Sequence, residues 1–78
     1  MKTRIQLDIT NEEVNEIEKA MADTRANTRR EFYDNAVTFF IWAIEESKKG
    51  SKIYARAKDG SEKQLVMTPL ERASRNER

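Results

Sequence analysis

Cysteine and histidine are both absent from the 78-residue sequence, which also contains only two glycines and one proline. Without cysteine, no disulfide can stabilise the fold. Without cysteine and histidine, the usual zinc and haem ligands and the usual pairing of a nucleophile with a base are missing. Two glycines are also too few for a phosphate-binding loop. The composition therefore predicts a protein that is not an enzyme and has no catalytic residues, bound metal or cofactor.

Long apolar stretches are absent as well. No segment approaches the roughly 20 apolar residues that a membrane-spanning helix needs. The N-terminal residues alternate in polarity instead of forming the apolar block of a signal peptide. We therefore expect a cytoplasmic protein without a membrane partner. A chain this short buries little apolar surface, so self-association is the stabilising device that remains.

An amphipathic strand is the first feature that is present. Apolar and polar residues alternate from Arg4 to Thr10, which predicts a single β-strand. One side of this strand carries Ile5, Leu7 and Ile9, and the other side carries Arg4, Gln6 and Asp8. No second strand lies beside it in the sequence, and an unpaired strand leaves its backbone donors and acceptors unsatisfied. The simplest partner is the same strand of a second copy of the chain.

Two helices are predicted after the strand. Thr10 and Glu13 have the spacing of a capping box, which starts a helix over residues 11–25. Thr28 starts a second helix, over residues 29–49. The apolar residues of this second helix cover about half of its circumference: Phe32, Tyr33, Ala36, Val37, Phe39, Phe40, Ala43 and Ile44. An apolar face this wide indicates packing against the same chain and a second chain at once, as in a homodimer.

The C-terminal residues 51–78 are predicted to form a module separate from residues 1–50. Asp59-Gly60 is typical of a two-residue hairpin turn, which would place Tyr54 opposite Leu65. The predicted fold class is thus α+β, mainly α, with a C-terminal β-hairpin extension.

Two further C-terminal features are open to interpretation. Trp42 lies outside the apolar face of the second helix, either as a half-exposed surface residue or as the place where the hairpin docks. The segment after Pro69 has one large apolar residue, and we expect it to form at most a frayed helical turn.

Three segments together resemble the ribbon-helix-helix DNA-binding proteins, the MetJ, Arc and CopG type of bacterial and phage repressor. They are the alternating strand "TRIQLDIT", the helix opening "TNEE" and the inter-helix segment "ANTRREF", and the resemblance covers about residues 2–50. It implies an intertwined two-fold dimer whose paired strands enter the major groove of duplex DNA. The dimer core would consist of Ile5, Leu7, Ile9, Phe32, Ala36, Phe39, Phe40 and Ala43.

The polar side of the strand contains the candidate base-reading residues. In a ribbon lying in the major groove, Arg4 can donate two hydrogen bonds to guanine, and Gln6 can pair with adenine. Asp8 can accept a hydrogen bond from cytosine. The alternative is an ordinary solvated strand face, and Asp8 favours it, because an acid that faces phosphates weakens binding unless it is neutralised.

The start of the second helix contains candidate phosphate contacts. A helix N-terminus offers free N–H groups to an anion, and basic residues add charge. The candidates are Asn27, Thr28, Arg29 and Arg30, with Lys2 at the edge of the strand. The alternative is a plain helix cap at Thr28, and both roles can coexist.

The sequence thus predicts a homodimeric transcriptional repressor that binds duplex DNA sequence-specifically. Its net charge of +1 is not that of a strongly basic nucleic-acid binder, so the prediction depends on local clusters of basic residues. One alternative is a protein-interaction module that keeps the dimer fold. Another is an antitoxin whose residues 51–78 wrap around a protein partner.

Overall fold

The structure, a computed structural model, describes residues 2–4 and 6–75. It is mainly helical with a small two-stranded antiparallel sheet, which confirms the predicted class at that level. The elements are α1 (Asn11–Thr24), α2 (Arg29–Lys48), β1 (Tyr54–Arg56), β2 (Glu62–Gln64) and α3 (Thr68–Arg75). The chain divides into two compact units, Met1–Tyr33 and Asp34–Arg78. Their boundary lies within α2, and the module boundary after Gly50 stays a prediction.

Helix α1 is closed at both ends by local hydrogen bonds. At its start the Glu13 backbone N–H donates to Thr10 Oγ1 (3.1 Å), and the Thr10 N–H donates to Glu13 Oε1 (3.2 Å). This is the predicted capping box. At its end Arg25 adopts a left-handed conformation with φ +58°, and the next N–H, of Ala26, donates to the Met21 carbonyl (2.9 Å). The predicted bounds of this helix are therefore confirmed to within one residue.

The N-terminal segment before α1 is neither helix nor strand in the single chain, over its described residues 2–4 and 6–10. A strand exists only where a second strand completes its hydrogen-bond ladder, and this chain supplies none beside it. Leu7, on the apolar side of the predicted strand, is 71% exposed, and Ile9 is half-buried. Ile5 lies outside the described residues.

Helix α2 ends in a Schellman motif. The Gly50 N–H donates to the Ser47 carbonyl (3.0 Å), and the Ser51 N–H donates to the Glu46 carbonyl (3.0 Å). Gly50 has φ +89°, a conformation that glycine adopts without steric cost. The helix therefore stops within one residue of its predicted end.

The register of the sheet differs from the prediction. Tyr54 pairs with Gln64 and Arg56 with Glu62, whereas the sequence placed Tyr54 opposite Leu65. The shift by one residue follows from the connecting loop, which has three residues, 58–60, instead of two.

Two local contacts stabilise this three-residue loop. The Gly60 N–H donates to the Ala57 carbonyl (3.0 Å), and Gly60 takes φ +92°, as expected for a three-residue hairpin loop with glycine at its last position. Asp59 Oδ1 accepts from the Ser61 backbone N–H (2.9 Å) and hydroxyl (2.7 Å). Both hydrogen bonds stabilise the carboxylate and hold the pKa of Asp59 below its ordinary value of 3.8. The bond from the Ser61 backbone N–H has the larger effect.

Helix α3 corrects the expectation of a frayed tail. It has eight residues, with Pro69 in its first turn, where the missing N–H has no helical partner to lose. Leu70 is only 5% exposed. A single large apolar side chain was therefore enough to anchor this helix, because it is buried almost completely.

Little of the chain is buried. Ala43 and Leu70 are the buried hydrophobic residues among those that the structure describes, and no large side chain there is fully enclosed.

The residues of α2 predicted for the dimer core differ in exposure. Ala43 is fully buried within its own chain, Phe32 and Phe40 are half-buried, and Ala36 and Phe39 are exposed. Their contacts with a second chain stay a prediction.

Candidate nucleic-acid interface

The polar residues of the N-terminal segment are all accessible. Lys2, Arg4, Gln6 and Asp8 are exposed. In an extended strand, side chains two residues apart point to the same side, so pairing of this segment would align the last three on one face. In the single chain this segment has no strand pairing, so these side chains are not held on one face.

The start of α2 has the geometry of a capped helix. The Glu31 backbone N–H donates to Thr28 Oγ1 at 3.0 Å, which confirms the capping role of Thr28. Asn27, Arg29 and Arg30 beside it are exposed. Exposed basic residues at a capped N-terminus can receive a phosphate, because the helix dipole and the side chains both favour negative charge there.

Arg29 already has an acidic partner. Its Nη2 lies 3.0 Å from Glu18 Oε2 on α1, and the two side chains are about equally exposed. The sequence pattern did not predict this pair, which joins residues 11 positions apart across the turn between the helices. The sequence feature that could have predicted this pair is the run of acids on α1, followed by a basic inter-helix segment. Because the pair is exposed, it is weak, and a phosphate can compete for the guanidinium.

The acids of α1 form no metal centre. Glu12, Glu13 and Glu16 are exposed, and Glu13 serves the capping box. Within residues 2–4 and 6–75, no group of three or more acidic, histidine or cysteine side chains is placed to hold a metal ion. None of the helices in this part of the chain is long and apolar enough to cross a membrane.

The second unit contains a cleft that the sequence did not predict. Its volume is about 400 Å³. Its lining is mixed: polar residues such as Gln64 and Glu71 lie beside the apolar residues Ile53, Leu65, Val66, Met67 and Leu70. Ser47, near the end of α2, also lines the cleft and is buried. Clefts with an apolar lining are the usual places where a small molecule or a partner side chain binds.

Comparison of the chain with protein-family models, with curated proteins and with solved structures gives no match.

Proposed function

We propose that this chain is a homodimeric, sequence-specific DNA-binding repressor of the ribbon-helix-helix type. The strongest support for this proposal comes from the segment between Arg4 and Thr10. It alternates in polarity, leads directly into the capped start of α1, and has Leu7 71% exposed in the single chain. Pairing with the same segment of a second copy would cover Leu7 and complete the backbone hydrogen bonds.

In the paired ribbon, the polar face supplies sequence readout. Arg4 would donate to guanine, Gln6 would pair with adenine and Asp8 would accept from cytosine. A two-stranded ribbon is narrow enough to enter the major groove of B-DNA. Two copies of this face, related by a two-fold axis, would prefer a palindromic sequence.

The start of α2 would position the protein on the DNA backbone. Asn27, Thr28, Arg29 and Arg30 lie at the N-terminus of this helix, where the helix dipole favours an anion, and Lys2 would add positive charge. These contacts add affinity without sequence preference. The acids of α1 oppose them, which predicts moderate rather than high affinity.

Selection from random duplex pools at two salt concentrations tests the proposal. A groove-reading protein enriches a palindrome at both salt concentrations, whereas a simple polycation enriches no sequence and releases DNA as salt rises. Arg4→Ala should lose roughly 1–3 kcal/mol of preference at one base pair of each half-site. Lys19→Ala, which removes an exposed cation of α1, is the matched control and should keep the preference. A wild-type protein that enriches nothing would refute the proposal.

A second candidate, binding of a protein partner by residues 51–78, is favoured by the cleft of the second unit. Leu65, Val66 and Met67 line it and are exposed. Because β1, β2 and α3 are already ordered, such a partner would meet a preformed surface, unlike a tail that folds on binding. Val66→Asp separates the candidates, since it should abolish partner binding and leave DNA selection unchanged.

A further inference from the structure

The cleft of the second unit has three walls, and all of them belong to that unit. The first wall is the end of α2 with the residues that lead into β1, the second is the segment after β2, and the third is one side of α3. On α3, the lining residues Leu70, Glu71 and Ser74 lie within one helical face. The side of α3 that holds the buried Leu70 therefore also presents an acid to the cleft.

Glu71 differs from the other acids of the second unit. Every other acid that the structure describes there has an ion pair, a hydrogen bond or another interaction: Asp34, Glu45, Glu46, Asp59 and Glu62. Within residues 2–4 and 6–75, the carboxylate of Glu71 has none, although Arg75 follows one helical turn later. The cleft therefore has an acid that is available to a cation.

A charge of the opposite sign lies on the first wall. Lys52 lines the cleft and is exposed. Its ammonium forms no ion pair or hydrogen bond with the described part of the chain, so Lys52 and Glu71 do not neutralise each other across the cleft. A ligand that carries a single charge would meet attraction on one wall and repulsion on the other. A ligand with both charges would be attracted by both walls.

Ser47 is a buried polar residue of the first wall. It is 6% exposed, and its hydroxyl has no hydrogen-bond partner among the residues that the structure describes. No fully enclosed side-chain oxygen in that part of the chain lacks a partner, so the small accessible surface of Ser47 includes its hydroxyl. A buried polar group without a partner is costly. The Ser47 hydroxyl is therefore placed to bond with a polar group that enters the cleft.

The apolar part of the lining is suited to a hydrocarbon side chain. Leu65, Val66 and Met67 are exposed in the second wall, and Leu70 lies on the third. The volume of about 400 Å³ is within the range of small-molecule sites. Such sites combine apolar contacts with a few polar groups that fix the orientation of the ligand.

We infer that this cleft binds a small zwitterion with an apolar side chain, the chemistry of a free apolar amino acid. The carboxylate of the ligand bonds to Lys52, and its ammonium bonds to Glu71. The Ser47 hydroxyl bonds to either charged group, because a hydroxyl both donates and accepts. The site lies within the second unit alone, so the inference goes beyond both proposed functions and does not rest on DNA binding.

NMR titration of the full chain with three related probes tests the charge requirement. L-phenylalanine carries both charges, 3-phenylpropionate only the carboxylate, and 2-phenylethylamine only the ammonium. L-phenylalanine should shift the amide resonances of residues 50–53 and 64–67 saturably, with an affinity about tenfold higher than that of either other probe. L-alanine keeps both charges without the ring, and it should bind more weakly because it covers less of the apolar lining.

Two charge-removing variants should each affect a different pair of probes. Lys52→Gln should lower the affinity for L-phenylalanine about tenfold and should not weaken the binding of 2-phenylethylamine. Glu71→Gln should lower the affinity for L-phenylalanine to a similar extent and should not weaken the binding of 3-phenylpropionate. Lys63→Gln on β2 and Glu12→Gln on α1 remove exposed charges outside the cleft, and neither should change the affinity for any probe.

Ser47→Ala separates a binding role of this residue from a structural one. Because its hydroxyl has no partner in the described chain, its removal should not lower the midpoint of denaturant unfolding. The same variant should weaken L-phenylalanine binding several-fold. A structural role would give the opposite result, a lower midpoint with unchanged binding.

Three results would overturn the inference. They are the absence of a saturable shift with millimolar L-phenylalanine, equal affinities for the three ring-containing probes, and a Lys52→Gln variant that weakens all of them alike. DNA selection separates this site from the proposed function. A wild-type protein that binds L-phenylalanine in the cleft but selects no DNA would refute the ribbon proposal and retain the zwitterion site. A protein partner that occupies the cleft when no probe does would refute the zwitterion site and support the second candidate function.

Discussion

The guanidinium of Arg29 lies 3.0 Å from the carboxylate of Glu18, so a proposed phosphate contact is already engaged by an acid of α1. On DNA binding, Arg29 would have to release the Glu18 carboxylate and bind a phosphate instead. Because both side chains are more than half exposed, water screens the pair and the exchange has a small cost.

The first prediction concerns this exchange. Glu18→Gln should raise DNA affinity several-fold and change the free energy of unfolding by less than about 1 kcal/mol. Glu16→Gln removes the same charge from α1 without a contact to Arg29 and should raise affinity less. In an Arg29→Ala background the two glutamate variants should become equivalent in a salt-dependent binding assay. Equal effects of both variants in the wild-type background would show that Arg29 does not contact phosphate.

The second prediction concerns the paired ribbon. Leu7 is largely exposed in the single chain, so Leu7→Glu should change a monomer's stability by no more than about 0.5 kcal/mol. In a paired ribbon it would bury a charge and cost at least about 2 kcal/mol. Gln6→Glu adds the same charge on the opposite side of the segment. Denaturant unfolding that finds the two variants equally stable, with an unchanged sedimentation coefficient, would exclude the ribbon.

The third prediction concerns the end of α1. Arg25 has φ +58°, a left-handed conformation that is unfavourable for any side chain with a Cβ atom. Arg25→Gly should therefore raise the free energy of unfolding by about 1 kcal/mol. Arg25→Ala removes the charge and keeps the backbone strain, so it should bring no comparable gain. Urea titration followed by circular dichroism measures both.

The parts of the fold that were predicted correctly are those set by neighbouring residues. The contact of Thr10 with Glu13 and the stop at Gly50 depend on side chains and φ angles within one helical turn. The loop after β1 was predicted at the right place and with the wrong length, because the bond from Ser61 to Asp59 selects the longer loop. Helix α3 was predicted only as a frayed turn, because the burial of Leu70 depends on tertiary packing that the local sequence pattern does not show. The pairing of Glu18 with Arg29 was missed for the same reason.

The fourth prediction concerns the pH dependence of this loop. The Ser61 hydrogen bonds lower the pKa of Asp59 in the folded protein. The stability that Asp59 contributes is therefore fully present at a pH above the pKa of the unfolded chain, near 3.8. That contribution is lost as the pH falls through the lower folded pKa. The amide resonance of Ser61 should titrate with a midpoint below that value. Ser61→Ala should move the carboxyl midpoint upward, and a midpoint at or above the ordinary value in the wild type would contradict the structure.

The fifth prediction concerns α3. Leu70→Ala should lower the free energy of unfolding of the second unit by about 2–3 kcal/mol, because Leu70 is its most buried large side chain. Met67→Ala, at an exposed lining position of the same cleft, should cost less than 1.5 kcal/mol. Amide exchange across residues 68–75 measures the effect. An unprotected helix in the wild type would mean that Leu70 does not anchor it.

Trp42 is the one tryptophan of the sequence. Its ring centroid lies 5.9 Å from that of Phe39, and nearly half of its surface is exposed. Trp42 fluorescence therefore reports on the Phe39 side of the helix: its emission should shift to shorter wavelength when a partner covers that side.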